Sequence, residues 1–340
     1  MPRRPLLLSL AICPLMVSVE VVDLSSLLKP ETADPSHLRE TARSIDAALS
    51  SQGFFLAVGT GEDSEYASSL GAARELFRIP LEDKLNVSMR SLGRIGRGYL
   101  EFGAESGVKS YFEPKEGFSY GFDFKKSPSH ALQQPNVWPS SLSQETQKVL
   151  ENTFHHQIKV AQAVTLGLQI VEEERNGSIG YTAAIHQGET ISLLRLFHYL
   201  SHPFSNETHL GSSPHTDWGF LTVILHDGVP GLQFFHENTW VHMPYIQDSL
   251  IINAGDVLSQ LSGGRYRSPI HRVLCPTLGL ERYSFVLFFY PFFNMTMPSF
   301  EVLTEDINFD YNTLTRSGHN MSQMSFGDYI VEKWKGVMNY

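Results

Sequence analysis

The stretch that decides the fold runs from residue 213 to residue 284. It begins with Ser-Pro-His215-Thr-Asp217-Trp, continues through Arg-Ser-Pro-Ile-His271-Arg-Val and ends with Glu-Arg282-Tyr-Ser284-Phe. His215 and Asp217 are two residues apart, so on a β-strand their side chains point to the same face. His271 follows 54 residues after Asp217, and a later strand must bring it back to that face. Two imidazoles and one carboxylate can then bind one divalent metal.

A His-x-Asp pair alone is a weak signal, because the chain has 14 histidines and most such pairs are loops or strand edges. The segments around the pair make the metal hypothesis stronger. They are Thr222-Val-Ile-Leu, Gly231-Leu-Gln, Trp240-Val, Asn253-Ala-Gly-Asp256, Tyr266-Arg-Ser268 and His271-Arg-Val273. In order and spacing they resemble the 2-oxoglutarate/Fe(II)-dependent dioxygenase superfamily, and in particular its isopenicillin N synthase-like branch.

The resemblance implies an oxidoreductase, a non-haem iron dioxygenase that uses Fe(II), 2-oxoglutarate and O2. Its expected metal ligands and catalytic residues are His215, Asp217 and His271. Such an enzyme couples oxidative decarboxylation of 2-oxoglutarate to hydroxylation, desaturation or cyclisation of a small organic substrate. Two alternatives stay open: an oxidase of the isopenicillin N synthase or aminocyclopropane carboxylate oxidase type that does not use 2-oxoglutarate, and a non-catalytic metal-binding jelly-roll protein.

The resemblance also assigns the cosubstrate site. Arg282 and Ser284 form the family's Arg-x-Ser pair, which holds the distal carboxylate of 2-oxoglutarate, and a guanidinium fork suits a carboxylate. Tyr199 is expected to touch the cosubstrate too, although Phe197 replaces the Asn that often precedes this tyrosine, and a core tyrosine is the alternative. Phe288 and Tyr290 are expected in the substrate pocket, with core packing as the alternative. For Arg195 a place in the pocket and an ion pair both stay open.

Hydrophobic periodicity predicts a mostly β protein with flanking helices, of the α+β class. From about residue 191, short apolar runs alternate with turn signals and predict about eight strands. The runs are 191–199, 220–225, 231–235, 240–246, 249–257, 268–274 and 282–290, and the resemblance identifies them as a double-stranded β-helix, or jelly roll. An N-terminal helical region and a long helix are expected to pack on this core, and the first predicted helix begins with Asp34 as its N-cap and Pro35 in its first turn. The predicted regions are a possible signal or targeting segment (1–18), an N-terminal dioxygenase region (19–130), a long supporting helix (140–175), the jelly-roll core that binds Fe(II) and 2-oxoglutarate (186–295) and a C-terminal helix (320–340).

Composition narrows the expected partners and compartment. A net charge of −10 argues against nucleic acid as a ligand, and the two cysteines cannot form a disulfide framework. The apolar run that starts at Leu6 is too short for a stable membrane span. A soluble, cytoplasmic protein is favoured, while this run and five Asn-x-Ser/Thr sequons keep the secretory pathway open. The oligomeric state cannot be read from the sequence.

Overall fold

Two β-sheets and a layer of helices make up the protein in a computed structural model that describes residues 18–61, 63–106, 112–124, 130–177, 180, 182, 185, 190–201, 209–297 and 324–337. The strands are β1 (Val21–Asp23), β2 (Phe54–Val58), β3 (Gly98–Leu100), β4 (Lys115–Gly121), β5 (Leu193–Tyr199), β6 (Leu210–His215), β7 (Leu221–His226), β8 (Leu232–His236), β9 (Thr239–His242), β10 (Leu250–Ala254), β11 (His271–Leu274) and β12 (Arg282–Phe289). The helices are α1 (Ser25–Leu28), α2 (Pro35–Ser51), α3 (Asp63–Arg78), α4 (Leu81–Asn86), α5 (Met89–Leu92), α6 (Gln144–Asn176), α7 (Asp256–Leu261) and α8 (Phe326–Val337).

From β5 onwards, consecutive strands alternate between the two sheets, except that β8 and β9 form a hairpin within the small sheet. The large sheet has the order β1-β2-β10-β7-β12-β5-β4-β3, and the small sheet has the order β6-β11-β8-β9. All pairs are antiparallel except β1 with β2. The chain thus winds as a double-stranded β-helix, and the predicted jelly roll is confirmed.

Apolar side chains fill the space between the two sheets. Phe54 of the large sheet stacks on Phe234 of the small sheet, with ring centroids 4.2 Å apart. Ile224 and Ile251 from the large sheet join the same cluster, as does Val273 from the small sheet. Such packing fixes the distance between the sheets and therefore the width of any cavity between them.

Helices α2, α3 and α6 cover the other face of the large sheet. The longest, α6, begins where the Ser143 hydroxyl accepts a hydrogen bond from the Thr146 amide, and it ends at Gly177 with φ +70°. Both are standard capping arrangements. Helix α2 begins as predicted, because the Asp34 carboxylate accepts from the Ser36 amide and Pro35 occupies the first turn.

Several predicted elements differ from the structure. Strand β6 was not predicted, because Gly211 and Pro214 interrupt its apolar pattern. The strand predicted over 249–257 ends at Ala254, and helix α7 starts at Asp256. The predicted tail helix is present as α8, whereas the rest of 320–340 and the predicted targeting segment up to residue 17 lie outside the described residues. Within the described ranges, no helix has the length and apolar character needed to cross a membrane.

Candidate functional site

The three predicted metal donors meet at the edge of the small sheet. His215 is the last residue of β6 and His271 the first of β11, and the two are direct partners in the antiparallel register. Asp217 lies two residues beyond the end of β6 rather than on the strand. The prediction that His215 and Asp217 share one strand face is therefore correct for the strand position of His215 but wrong for Asp217. The turn after β6 brings the Asp217 carboxylate to the two histidines.

The donor atoms are spaced as ligands of a single ion. One potential ligand atom from each of the three residues lies within 4.8 Å of the other two. Asp217 Oδ1 is 3.9 Å from His215 Nε2 and 3.7 Å from His271 Nε2. Bonds from a divalent metal to nitrogen or oxygen are about 2 Å long, so one ion between these atoms can reach all three.

Backbone carbonyls orient both imidazole rings. His215 Nδ1 lies 2.7 Å from the Ser213 oxygen, and His271 Nδ1 lies 3.1 Å from the Pro269 oxygen. A carbonyl oxygen only accepts, so each Nδ1 carries the proton and donates it. Each Nε2 is then left with its lone pair, which is the tautomer that a metal requires.

The Asp217 carboxylate is held from the large sheet. Its Oδ2 accepts hydrogen bonds from Thr222 Oγ1 at 2.6 Å and from Asn253 Nδ2 at 2.8 Å, which leaves Oδ1 facing the histidines. Burial alone would raise the pKa of Asp217, but His271, His215 and the two hydrogen bonds outweigh it and lower that pKa. Burial is the main cause that lowers the pKa of His271 to about 4. The site therefore presents one anion and at least one neutral imidazole near pH 7.

The turn that carries Asp217 is fixed by a close backbone approach. The Asp256 amide donates to the Asp217 carbonyl at 2.7 Å. A Cβ atom on Gly255 would lie 2.2 Å from the Gly219 oxygen, so any other residue would push the start of α7 away from this turn. Glycine at position 255 thus permits the contact that positions the carboxylate.

A cavity of about 90 Å³ opens beside the three donors, between the two sheets. Three cations line it, and two of them have their own carboxylate. Arg195 binds Glu105 through both guanidinium ends, at 3.1 and 2.5 Å, and Lys115 forms a close ion pair with Glu113. The structure thus places Arg195 in the pocket and in an ion pair, the two possibilities that the sequence left open.

Arg282 is the third cation, and among the described residues it has no ion-pair partner. Its Nε donates to the Val229 carbonyl at 3.2 Å, but its Nη1 atom and the Ser284 hydroxyl are buried without a hydrogen-bond partner in the described chain. Burial lowers the pKa of Arg282, and Tyr199 and Asp227 oppose that effect. A buried guanidinium in this state is stabilised by any anion that enters the cavity.

Tyr199 lies next to this cation, with its ring centroid 5.2 Å from the Arg282 Cζ atom. Burial raises the pKa of Tyr199, while the nearby Lys115 and Arg282 cations oppose the rise. Its phenol therefore stays protonated at neutral pH and can donate a hydrogen bond into the cavity. The cavity is therefore lined both by the Arg282–Ser284 pair and by Tyr199, all three of which were expected to touch the cosubstrate.

Aromatic side chains form much of the remaining wall. Phe288 and Tyr290, the residues expected in the substrate pocket, line the cavity. Trp334 of α8 also lines it, and the Arg195 guanidinium lies between the Trp334 and Phe197 rings, 4.5 and 4.6 Å from their centroids. Sequence reasoning missed Glu105 and Trp334, because neither belongs to a motif. An unpaired Arg in an apolar strand is the signal that could have prompted a search for a buried acid.

Comparisons with known proteins agree with this geometry. The family model of the 2OG-Fe(II) oxygenase superfamily matches residues 190–291, and the model of the non-haem dioxygenase N-terminal region, described from morphine synthesis, matches residues 19–141. The 2-oxoglutarate-dependent dioxygenase traH of Penicillium crustosum is 32% identical over 72% of this chain and 76% of its own. The corresponding enzyme caaD of Aspergillus niger is 29% identical over 83% of this chain and 87% of its own.

Solved structures share the fold. A full-length protein of Neurospora crassa, crystallised in complex with alpha-KG, superposes with a TM-score of 0.70 over 93% of this chain and 95% of its own, at 22% identity. Three findings agree: two family models match, the relatives align over most of both chains, and the jelly roll is shared. The chain belongs to the 2OG-Fe(II) oxygenase superfamily, whose members are oxidoreductases that use Fe(II), 2-oxoglutarate and O2.

Proposed function

We propose that His215, Asp217 and His271 hold Fe(II) in this enzyme. The convergence of their three donor atoms supports the proposal, and so do the two carbonyls that set the histidine tautomers. Two imidazoles and one carboxylate leave the opposite positions of an ion open for small ligands. When bound there, Fe(II) supplies the redox chemistry that activates O2.

Arg282, with Ser284 and Tyr199, is proposed to bind the distal carboxylate of 2-oxoglutarate. The single observation that carries this assignment is the state of Arg282, a buried cation with no carboxylate partner in the part of the chain that the structure describes, in a cavity whose other two cations are paired. A carboxylate can accept two parallel hydrogen bonds from the guanidinium and a third from a hydroxyl. The keto-acid end of the cosubstrate then faces the proposed iron site.

The reaction is proposed to be hydroxylation, desaturation or ring closure of a small organic substrate. Phe288, Tyr290 and Trp334 give the cavity an aromatic wall, which suits an apolar substrate face and excludes water from a reactive centre. Phe288 and Tyr290 are proposed as substrate contacts. The cavity has a volume of only about 90 Å³, so the expected substrate is small.

The test is a comparison of wild type with His271→Ala. Removal of one of three ligands should abolish stoichiometric Fe(II) binding and the Fe(II)-dependent conversion of 2-oxoglutarate to succinate. His242→Ala is the matched control, because His242 lies on β9 of the same sheet, exposed and bonded to Gln233. Normal iron content and turnover in His271→Ala would refute the ligand assignment, and O2 uptake that needs no 2-oxoglutarate would refute the cosubstrate.

A further inference from the structure

A second cavity lies on the opposite side of the large sheet, between helices α3 and α6. Its volume is about 200 Å³, against about 90 Å³ for the cavity beside the metal donors. It opens to the surface past Ser64, Ser68 and Asn152, which are exposed. The residues that line it are Ser64, Glu65, Tyr66, Ser68, Ser69, Val149, Asn152, Thr153, His156, Gln157 and Leu225.

Gln157 in the wall of this cavity is fully buried, and neither its amide nitrogen nor its amide oxygen has a hydrogen-bond partner among the described residues. A buried polar group without a hydrogen-bond partner destabilises the folded state, so such groups in native proteins are few and call for an explanation. In the first cavity, unpaired buried atoms of Arg282 and Ser284 mark the place proposed for the cosubstrate. Gln157 likewise has buried polar atoms without a hydrogen-bond partner among the described residues, so it marks a second place where a ligand can bind.

The other buried polar groups of the wall are already satisfied. The Ser69 and Thr153 hydroxyls bond each other at 2.7 Å, and Tyr66 bonds Thr60 at 2.6 Å. Among the described residues of this wall, the buried polar groups are therefore ordered by hydrogen bonds, and the carboxamide of Gln157 is the one left unpaired. A carboxamide offers one acceptor and a donor side by side, which matches a ligand that carries the complementary acceptor and donor.

Charge excludes anions from this cavity. Among the described residues that line it there is no Lys or Arg, and Glu65 lies at the exposed rim. Burial lowers the pKa of His156, so its imidazole is neutral near pH 7, and burial raises the pKa of Tyr66 to about 12, so its phenol is neutral as well. Val149 and Leu225 supply an apolar patch. The buried part of the wall therefore carries no charge, and an uncharged wall suits a neutral ligand.

We propose that the cavity between α3 and α6 is a second binding site, for a small neutral molecule with a lactam or primary carboxamide group. The Gln157 amide pairs with that group, and Val149 and Leu225 pack against the rest of the ligand. The site is separate from the catalytic one. Leu225 and Ile224 are neighbours on β7 and lie on opposite faces of the large sheet. Leu225 lines the cavity beneath the helices, and Ile224 lines the cavity beside the metal donors. The proposal does not depend on the proposed function.

The test uses 2-pyridone, a planar lactam, titrated against the full chain by ligand-observed NMR. Its matched probe is N-methyl-2-pyridone, which keeps the ring and the carbonyl but lacks the N–H donor. Wild type should bind 2-pyridone at least tenfold more tightly than the methylated probe, and excess 2-oxoglutarate should not displace it. Equal binding of both probes, or displacement of 2-pyridone by 2-oxoglutarate, would overturn the proposal. The absence of any binding would overturn it too, and would mean that the cavity holds only water.

Two variants locate the binding. Gln157→Leu should weaken 2-pyridone binding at least tenfold without lowering the thermal midpoint, since it replaces an unpaired amide with an apolar group of similar size. Gln162→Leu, the same change at an exposed position of α6, should bind like wild type. Asn152→Trp, which narrows the mouth of the cavity, should also weaken binding. Wild-type affinity in Gln157→Leu would assign the ligand to another place and refute the role of Gln157.

Discussion

At the scale of single residues, the partner of each buried cation decides its role in the cavity. Arg195 donates to both oxygens of Glu105 and is stacked between two aromatic rings, so its charge is compensated within the fold. Arg282 donates to a backbone carbonyl and has no described carboxylate as its partner. Residue type does not distinguish two arginines on neighbouring strands, but their partners do. Arg195 stabilises the wall, and Arg282 is available to a ligand.

Replacement of Arg282 by Lys tests this distinction. An ammonium keeps the charge but cannot form two parallel hydrogen bonds, so we expect binding of 2-oxoglutarate to weaken about 10- to 100-fold. Calorimetric titration of 2-oxoglutarate into the metal-loaded protein measures the change. Arg272→Lys is the control, because Arg272 bonds Gln233 and stacks on Trp240, outside the cavity wall. If Arg282→Lys binds like wild type, the anchor lies elsewhere.

The Glu105–Arg195 pair predicts a specific pH dependence of stability. Burial would raise the pKa of Glu105, but Arg195 and Lys115 outweigh it and hold that pKa at about 2, below the ordinary 4.5. A carboxyl with a lowered folded-state pKa stabilises the fold above its unfolded-state pKa. This contribution, about 3 kcal/mol, is lost as the pH falls from about 4.5 towards 2.

Glu105→Gln should therefore be less stable than wild type by about 3–5 kcal/mol at pH 7, because Arg195 is left buried and unpaired. The difference should shrink as the pH falls below about 4.5. Urea unfolding of both proteins between pH 7 and pH 3 measures it. Glu82→Gln, at an exposed position of α4, should match wild type throughout. A difference between Glu105→Gln and wild type that stays constant over this range would contradict the pKa assignment.

At the scale of elements, local patterns were predictable and long-range ones were not. The Asp34-Pro35 cap and the 3.6-residue periodicity of α6 are local signals, and both helices are present. Strand β6 has no such signal, since its residues become a strand only by pairing with β11. The convergence of His215, Asp217 and His271 was predictable from motif spacing, although the reason given for the His215–Asp217 proximity was only half correct.

Glu105 and Trp334 were not predictable for the same reason. Each reaches the cavity through an element far away in the chain, the loop after β3 and helix α8, and no motif ties these segments to the strands. Only tertiary packing places a Trp from the C-terminal helix over Arg195. The parts of the site that belong to the jelly roll follow from the sequence pattern, and the parts contributed from outside it do not.

Trp334→Ala tests how α8 is attached to the core. The Trp334 side chain is 2% exposed and packs on Arg195, so its loss should lower the free energy of unfolding by about 3–5 kcal/mol. Amide hydrogen exchange within Phe326–Val337 should become faster than in wild type. Trp334→Phe, which keeps an aromatic ring near the guanidinium, should restore most of the protection. Unchanged exchange in Trp334→Ala would mean that other contacts hold α8.

At the scale of the whole molecule, the proposed metal site joins the two sheets. His215 and His271 belong to the small sheet, whereas Asp217 accepts its hydrogen bonds from Thr222 and Asn253 of the large sheet. The sheets also meet through apolar contacts such as Phe54 with Phe234, and the Lys115 ammonium donates a hydrogen bond across to the Ser212 hydroxyl at 3.4 Å. An ion bound to all three donors therefore links two layers that are paired by no described backbone hydrogen-bond ladder. Metal binding should stabilise the fold as well as enable catalysis.

Addition of Mn(II), a divalent ion less easily oxidised than Fe(II), tests this coupling. An ion that binds only the folded state adds about 2.7 kcal/mol of stability at a free concentration of 100 times its Kd, so the urea midpoint should rise with Mn(II) concentration. His242→Ala should show the same rise, because its imidazole lies outside the site. Asp217→Ala should show none, because the ion then loses its only anionic ligand and its link to the large sheet. An equal rise in Asp217→Ala would place the stabilising ion on other carboxylates of this acidic chain and would separate stability from the proposed catalytic centre.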